Sequence, residues 1–341
     1  MKDDGPIVAG RSLCEPLSDD QLKTFLCGWL ADGCPPDAIE GLERRVRKLR
    51  TDWRGARLFE RVTVRINGGD ALRLFLKYRC SSPDPNALMA PMDREARVYR
   101  ELLQPASLGT PRFYGAHMIE PDGRTLVLLE YFEGRKLKKE QEQETWLAVV
   151  KWLARMHQYF LARQDRLKSS LFLPRHDAEF YFKWACRATE SASSVSAKLC
   201  ASMKRLLSRY DKVAGPLGST ATLVHGEFYS TNVMVSGDAQ HLRICAFDWE
   251  TAAIGCGALD LTYLFRQRCG IEEPRLIRAY LEGLREAGGS PVSLSELQSQ
   301  ILRARIHELM CRIWSGVHYR HAPAQKIEKY SDRASLFIES L

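Results

Sequence analysis

The sequence predicts an α+β protein of two lobes, a small one built on an antiparallel sheet and a larger, mainly helical one. Three observations carry this. Apolar residues alternate with a period of two in several short runs between residues 60 and 132. From about residue 140 onward the apolar period becomes helical. That helical run is broken once, at 222–248, by short apolar strands around LVHGEFYSTNVMV (223–235).

The elements follow in order. SDDQ at 18–21 is a capping box, in which Ser18 caps a helix start and Gln21 reaches back. Leu22, Phe25, Leu26, Trp29 and Leu30 then recur at helical spacing, and Gly33 with Pro35 and Pro36 ends the helix. Its apolar stripe suits docking on the body of the protein. ERVTVRI (60–66) and ALRLFLKYR (71–79) alternate on either side of the turn sequence NGGD (67–70), which reads as a hairpin. After a proline-containing loop at 81–91, DREARVYRELL (93–103) reads as a helix. PRFYGAHMI (111–119) and TLVLLEYF (125–132), joined by PDGR, form a second strand pair. Helices are expected at 146–161, 274–288 and 293–317, the last opened by a second capping box, Ser293 with Glu296. The chain thus divides into an N-terminal helical extension (1–44), a sheet lobe (45–132) and a helical lobe (133–341), with a cleft between the lobes as the expected ligand site.

Composition narrows the partners. No apolar run reaches the ~18–20 residues that a membrane helix requires, and MKDDGPIV lacks the basic and apolar regions of a secretory signal. Ten cysteines without a CxxC pair read as free thiols of a reducing, cytoplasmic protein. A net charge of +8 favours anionic partners such as nucleotide phosphates. Its basic stretches, 44–57 and 134–139, read as solvated faces, and with Trp53 as their one aromatic they make a nucleic-acid partner an unfavoured reading.

The apolar flanks of 223–235 enclose His225, Glu227, Ser230, Thr231 and Asn232. Buried polar groups without partners cost roughly 2–7 kcal/mol each, so something must satisfy them. Asn232 lies five residues after Glu227, and Asp248 ends an apolar strand sixteen residues later, in LRICAFDWE. That spacing suits phosphoryl transfer: the first carboxylate orients a hydroxyl and takes its proton, while the Asn232 and Asp248 oxygens hold Mg²⁺. In the sheet lobe, Lys77 near the end of the second hairpin strand can reach nucleotide phosphates as a point charge. At about 100° per residue Glu95 shares one helix face with Val98, Tyr99 and Leu102. A carboxylate amid apolar side chains wants a cation, and Lys77 is the natural candidate. No third group is spaced to make Ser230 or Thr231 a nucleophile.

HGEFYSTNVMV (225–235), FDWE (247–250), GALDLTYLF (257–265), LARMH (153–157) and LVLLEYFEG (126–134) together resemble the motifs of the aminoglycoside phosphotransferase and choline kinase family. The resemblance spans roughly residues 45–320 and implies the protein-kinase-like fold, ATP or another nucleoside triphosphate, and Mg²⁺. It implies a hydroxyl-bearing acceptor, whether an antibiotic, a metabolite or a Ser/Thr peptide. It makes Glu130, Tyr131 and Phe132 the hinge that binds adenine through backbone groups. Asp260 becomes a loop-bracing carboxylate, His225 and His157 structural histidines, and Glu250 a possible contact of metal or substrate. Two departures matter. Glu227 stands where the family has Asp, and the phosphate loop, TDWRGAR (51–57), holds one glycine. A carboxylate displaced by about 1 Å costs about 10²-fold unless compensated. The alternative is therefore a nucleotide-binding pseudokinase acting as a scaffold or regulator. The segment 163–187, with Arg163, Arg166, Lys168, Arg175, Lys183 and Arg187, makes a neutral or anionic acceptor as credible as a cationic one.

Overall fold

The computed structural model describes residues 15–30, 38–52, 55–80, 91, 93–119, 123–237, 241–267, 270–289 and 292–341. It divides into two compact units, Met1–Glu133 and Gly134–Leu341.

The first unit is an antiparallel five-stranded sheet of order β1-β2-β3-β5-β4. Its strands are β1 (Ile39–Asp52), β2 (Gly55–Ile66), β3 (Leu72–Arg79), β4 (Phe113–Ile119) and β5 (Arg124–Glu130). The hairpin read from 60–79 is β2–β3, and its turn has positive φ at Asn67 (49°) and Gly68 (69°). Two consecutive left-handed residues match the right-handed twist of the flanking strands, which is why Asn-Gly serves there. β1 was not evident from alternation. It is an edge strand whose arginines and one lysine interrupt the apolar pattern of the sequence, a charge load that edge strands carry to avoid pairing with other chains. The β1–β2 connection at 53–54, the middle of the expected phosphate loop, lies outside the described residues, as do Gly33, Pro35 and Pro36.

Helix α1 (Asp19–Leu30) starts as the capping box requires: the Gln21 N–H donates to Ser18 Oγ at 3.2 Å and the Ser18 N–H to Gln21 Oε1 at 2.9 Å. Its Leu22 and Leu26 are wholly buried against Val62, Val64, Leu74, Leu76, Tyr78, Leu126 and Leu128, so it covers one face of the sheet. A methyl group on Gly115 of β4 would lie 2.5 Å from the Trp29 ring, so only glycine admits that indole. A polar clasp completes the dock. Arg44 of β1 donates from Nη2 to both oxygens of the buried Glu60 (2.8 and 2.9 Å), and from Nη1 to the Leu17 carbonyl and the Asp19 carboxylate, each at 2.7 Å. Tyr78 donates its hydroxyl to Glu60 at 2.7 Å.

The helix expected at 93–103 is present but not uniform. Residues Arg94–Arg97 are α-helical (α2), Val98–Leu103 form a π-helix, and Gln104–Ala106 return to α-helix (α3). The expected face holds: Glu95, Val98, Tyr99 and Leu102 are all buried.

The second unit holds the helices α4 (Gln143–Leu161), α5 (Gln164–Ser169), α6 (Ala178–Ser193), α7 (Ala197–Leu207) and α8 (Asp211–Gly218). After a strand-rich interval come α9 (Ala258–Phe265), α10 (Glu273–Glu286), α11 (Leu294–His318) and α12 (Ala324–Glu339). α4 is buried along much of its length and packs on α10, while α11 packs on α6, α9 and α12. The expected interval 222–248 contains three strands, β7 (Thr222–Val224), β8 (Val233–Ser236) and β9 (Arg243–Ala246), and β10 (Ala253–Gly255) follows it. β8 pairs with β9 and with β6 (Arg135–Lys136), and β7 pairs with β10. Among the described residues no helix is long and apolar enough to cross a membrane. Cys27, Cys186, Cys200, Cys245, Cys256 and Cys311 are free thiols, whereas Cys80 is disulfide-bonded, against the expectation that every thiol is free.

Arg44→Ala leaves Glu60 as a buried charge without its guanidinium and should cost about 3–5 kcal/mol of unfolding free energy. Urea denaturation measures it, and a loss below about 1 kcal/mol would show that the clasp does not hold α1 to the sheet.

Candidate functional site

The polar cluster is built in the second unit around a carboxylate far from it in sequence. Asp260, wholly buried in the first turn of α9, accepts the His225 N–H at Oδ2 (2.7 Å) and the Gly226 N–H at Oδ1 (2.9 Å). It also accepts His157 Nε2–H from α4 at 3.2 Å, while the Tyr280 hydroxyl of α10 lies 2.7 Å from His157 Nδ1. With Nε2 facing a carboxylate, the proton is assigned to Nε2, and the Tyr280 hydroxyl pairs with Nδ1. Burial pushes the Tyr280 phenol well up, so it stays a donor.

His225 is structural as well. Its Nε2 lies 3.0 Å from the Phe247 carbonyl and its Nδ1 accepts the Glu227 N–H at 3.3 Å, which assigns the proton to Nε2. Thr251 donates to the His225 carbonyl at 3.0 Å. Gly226 takes φ +81°, and a methyl group there would lie 2.5 Å from the Thr251 carbonyl oxygen. The chain therefore turns sharply after β7, and glycine alone permits the turn.

The turn presents Glu227 half-buried. Its carbonyl accepts the Tyr229 N–H at 2.7 Å and Asn232 Nδ2 at 3.1 Å, so the Asn232 amide is oriented with Oδ1 on its other side. Asn232 leads directly into β8. Val233 pairs with Ala246 of β9, and the Phe247 N–H donates to the Asn232 carbonyl at 3.1 Å, so the hairpin carries Asp248 back beside Asn232. Asp248 adopts φ 72°, ψ 56°, a left-handed conformation uncommon outside glycine and concentrated at functional sites. Trp249 is buried behind it and donates Nε1–H to the Ala246 carbonyl at 3.1 Å, and Glu250 is buried too. Ser230 is fully buried and donates to Gln267, a structural use that agrees with rejecting it as a nucleophile.

In the first unit, Lys77 of β3 and Glu95 of α2 form an ion pair, Nζ to Oε2 at 2.7 Å, with side chains 5% and 4% exposed. The pair is the one expected from the alternation of β3 and the face of the 93–103 helix. Of the expected hinge, Glu130 ends β5 with its N–H on the Arg112 carbonyl (2.8 Å), and the Tyr131 N–H donates to the Arg73 carbonyl (3.0 Å). Both amides are thus used within the sheet edge, and Phe132 is buried. Thr251 and Tyr280 drew no notice in the sequence. Neither carries a motif, and each matters only through a partner brought close by the fold.

The model of the phosphotransferase enzyme family matches residues 39–294. No curated protein sequence matches the chain. Among solved structures, a provisionally assigned aminoglycoside phosphotransferase from Ralstonia eutropha JMP134 superposes with a TM-score of 0.61 at 14% identity, over 95% of this chain and 98% of that one. Spectinomycin phosphotransferase APH(9)-Ia, in complex with ADP and spectinomycin, gives 0.55 at 13% identity over 96% and 100%. The choline kinase LicA of Streptococcus pneumoniae gives 0.55 at 14% identity over 94% and 98%. At these identities the likeness is one of fold, and it agrees with the two-lobe, protein-kinase-like α+β class expected from the sequence.

Gly226→Ala forces an alanine into a left-handed turn and against the Thr251 carbonyl. It should lower unfolding stability by about 2 kcal/mol or more, measured by urea denaturation. A change within about 0.5 kcal/mol would show that the turn relaxes freely.

Proposed function

The chain belongs to the phosphotransferase enzyme family, and on that premise we propose that it moves the γ-phosphoryl group of ATP, or another nucleoside triphosphate, to a hydroxyl of a small molecule. The observation that carries this is the single braced segment on which Glu227, Asn232 and Asp248 stand, with Asp260 holding its first turn. Glu227 accepts the proton of the acceptor hydroxyl as that oxygen attacks the γ-phosphorus. The bond from phosphorus to the β–γ bridging oxygen breaks, and the nucleoside diphosphate leaves. The extra methylene of Glu227 falls on its side chain alone. Its backbone is held at both ends, by His225 Nδ1 at the amide and by Tyr229 and Asn232 at the carbonyl.

The oxygen donors of Asn232 and Asp248 fit Mg²⁺, a hard cation that takes carboxylate and amide oxygens. When bound, Mg²⁺ would neutralise the charge that develops on the phosphate oxygens. The hydrogen bond from Asn232 Nδ2 to the Glu227 carbonyl keeps Oδ1 directed for that task. In the sheet lobe, Lys77 is assigned to the α/β-phosphates with Glu95 orienting it, and the 130–132 segment to adenine. The ADP in the spectinomycin phosphotransferase complex supports a nucleotide as the donor.

Glu227→Gln keeps the shape and removes the proton acceptor, so phosphate transfer should fall by about 10²–10⁴-fold while nucleotide affinity changes little. Asp248→Asn should depress transfer at least as much at saturating Mg²⁺ and leave the melting temperature within a few degrees. Transfer is read from labelled γ-phosphate over aminoglycosides, small alcohols and peptides. Retention of most activity in either variant contradicts the assignment. A wild-type protein that binds ADP yet phosphorylates nothing in the panel supports the scaffold reading instead.

A further inference from the structure

The groups beside the proposed base, on its own unit, carry a charge pattern that narrows the acceptor. Tyr229 sits two residues after Glu227 and is tied to it by the 2.7 Å bond from its N–H to the Glu227 carbonyl. Its ring packs against Tyr263 of α9 at a centroid distance of 5.0 Å, and the Arg266 guanidinium lies over it at 5.5 Å. Arg266 caps the C-terminal end of α9, the short helix whose first turn carries Asp260. One rigid element therefore sets the catalytic turn with one end and presents an arginine beside it with the other.

That arginine shares a buried carboxylate with a second one. Glu308 of α11 is buried, and its Oε1 meets Arg266 Nη1 at 3.1 Å, Arg312 Nη2 at 2.8 Å and Arg312 Nε at 3.0 Å. A single carboxylate thus serves two guanidiniums, and Arg312 takes it with two N–H groups. Arg312 is further held over the Tyr330 ring at 5.5 Å, whereas the Arg266 side chain stays 42% exposed. Arg312 is the packed member of the pair, and Arg266 is the one a ligand can reach.

We propose that the acceptor carries an anionic group, a carboxylate or a phosphate, and that Arg266 binds it while Glu227 takes the proton of the neighbouring hydroxyl. The inference rests on the phosphotransferase reading above. A guanidinium offers a planar fork of donors that matches either anion with two parallel hydrogen bonds. A cationic acceptor meets the opposite conditions. Its charge would face the exposed Arg266 while Glu308 is already taken by two arginines, and the ring of Tyr229, which could otherwise receive an ammonium group, is shared between Arg266 and Tyr263. Burial and the Glu227 and Glu308 charges raise the Tyr229 phenol, and the two arginines oppose them, so the hydroxyl stays protonated. The arginines and lysines of 163–187 are a different matter. Arg163 lies over its own neighbour Tyr159 at 3.9 Å and Arg187 over Trp184 at 5.4 Å.

The test is calorimetric titration of the full chain, first with Mg·ADP and then, on the Mg·ADP-bound protein, with hydroxyl compounds of matched size. The panel comprises carboxylates such as glycerate, phosphates such as glycerol 3-phosphate, neutral polyols, and cations such as choline and an aminoglycoside. At least one anionic arm should bind tenfold or more tightly than its neutral counterpart, and the arm that does so separates carboxylate from phosphate. Arg266→Gln should remove that advantage without changing ADP affinity, and Arg266→Lys should restore part of it, since the charge returns without the fork. In transfer assays the loss should fall on the acceptor KM rather than on kcat. A preference for cationic members, no preference at all, or an anion preference untouched by Arg266→Gln overturns the inference and leaves the phosphotransferase reading standing. A protein that fails to bind Mg·ADP overturns both.

Discussion

The second unit depends on one buried carboxylate. Asp260 accepts two consecutive backbone amides and an imidazole N–H, and none of these donors could stay buried without it. Two peptide N–H groups pointing at one carboxylate compel a sharp turn, and the turn compels glycine at 226. His225 is then directed inward to the Phe247 carbonyl, which ties the turn to the segment bearing Asp248. Glu227 reaches its position because everything before it is already committed. In the proposed phosphoryl transfer, groups held this way need little rearrangement when charge develops, and preorganisation of that kind is the main source of electrostatic rate enhancement.

The first unit solves a different problem on each face of its sheet. One face is apolar and closed by α1, with the Arg44–Glu60–Tyr78 clasp at its margin. Alternation along β3 turns Lys77 to the opposite face, where Glu95 meets it. Buried ion pairs contribute little net stability, because desolvation offsets most of the attraction. Their better use is to fix a geometry, and here each does so. Arg44–Glu60 fixes where α1 lies on the strands, and Lys77–Glu95 fixes where a lysine ammonium sits relative to the helix behind it.

Much of this was legible in the sequence because its signals are local. Alternation marked β2, β3, β4 and β5, and Asn67-Gly68 marked the turn. The segment proposed as catalytic draws on local signals too, since Glu227 and Asn232 precede β8 and Asp248 follows its hairpin partner β9. What was missed depends on contacts distant in sequence or on weak contrast. The basic residues of β1 hide its alternation. The buried side of α6 is largely alanine, at 185, 188 and 192, so residues 164–218 carried little readable period. The π-helical turn at Val98–Leu103 keeps the same buried residues as a regular helix would, so the apolar pattern does not reveal it. Arg266, Glu308 and Arg312 come together only when α9 packs on α11. The cations of 163–187 made a neutral or anionic acceptor only as credible as a cationic one, and Arg266, the arginine proposed to bind the acceptor, lies outside that segment.

The claim that a buried carboxylate builds the turn that presents Glu227 before any ligand arrives can be tested at the two amides themselves. Hydrogen exchange of the His225 and Gly226 N–H groups in the nucleotide-free protein is the direct measurement. Protection approaching that of the α4 core is the expected result, since both amides should open only with the unit as a whole. Exchange at the rate of an exposed loop would mean that the turn forms only when a ligand binds, and the account of a preset site would fail.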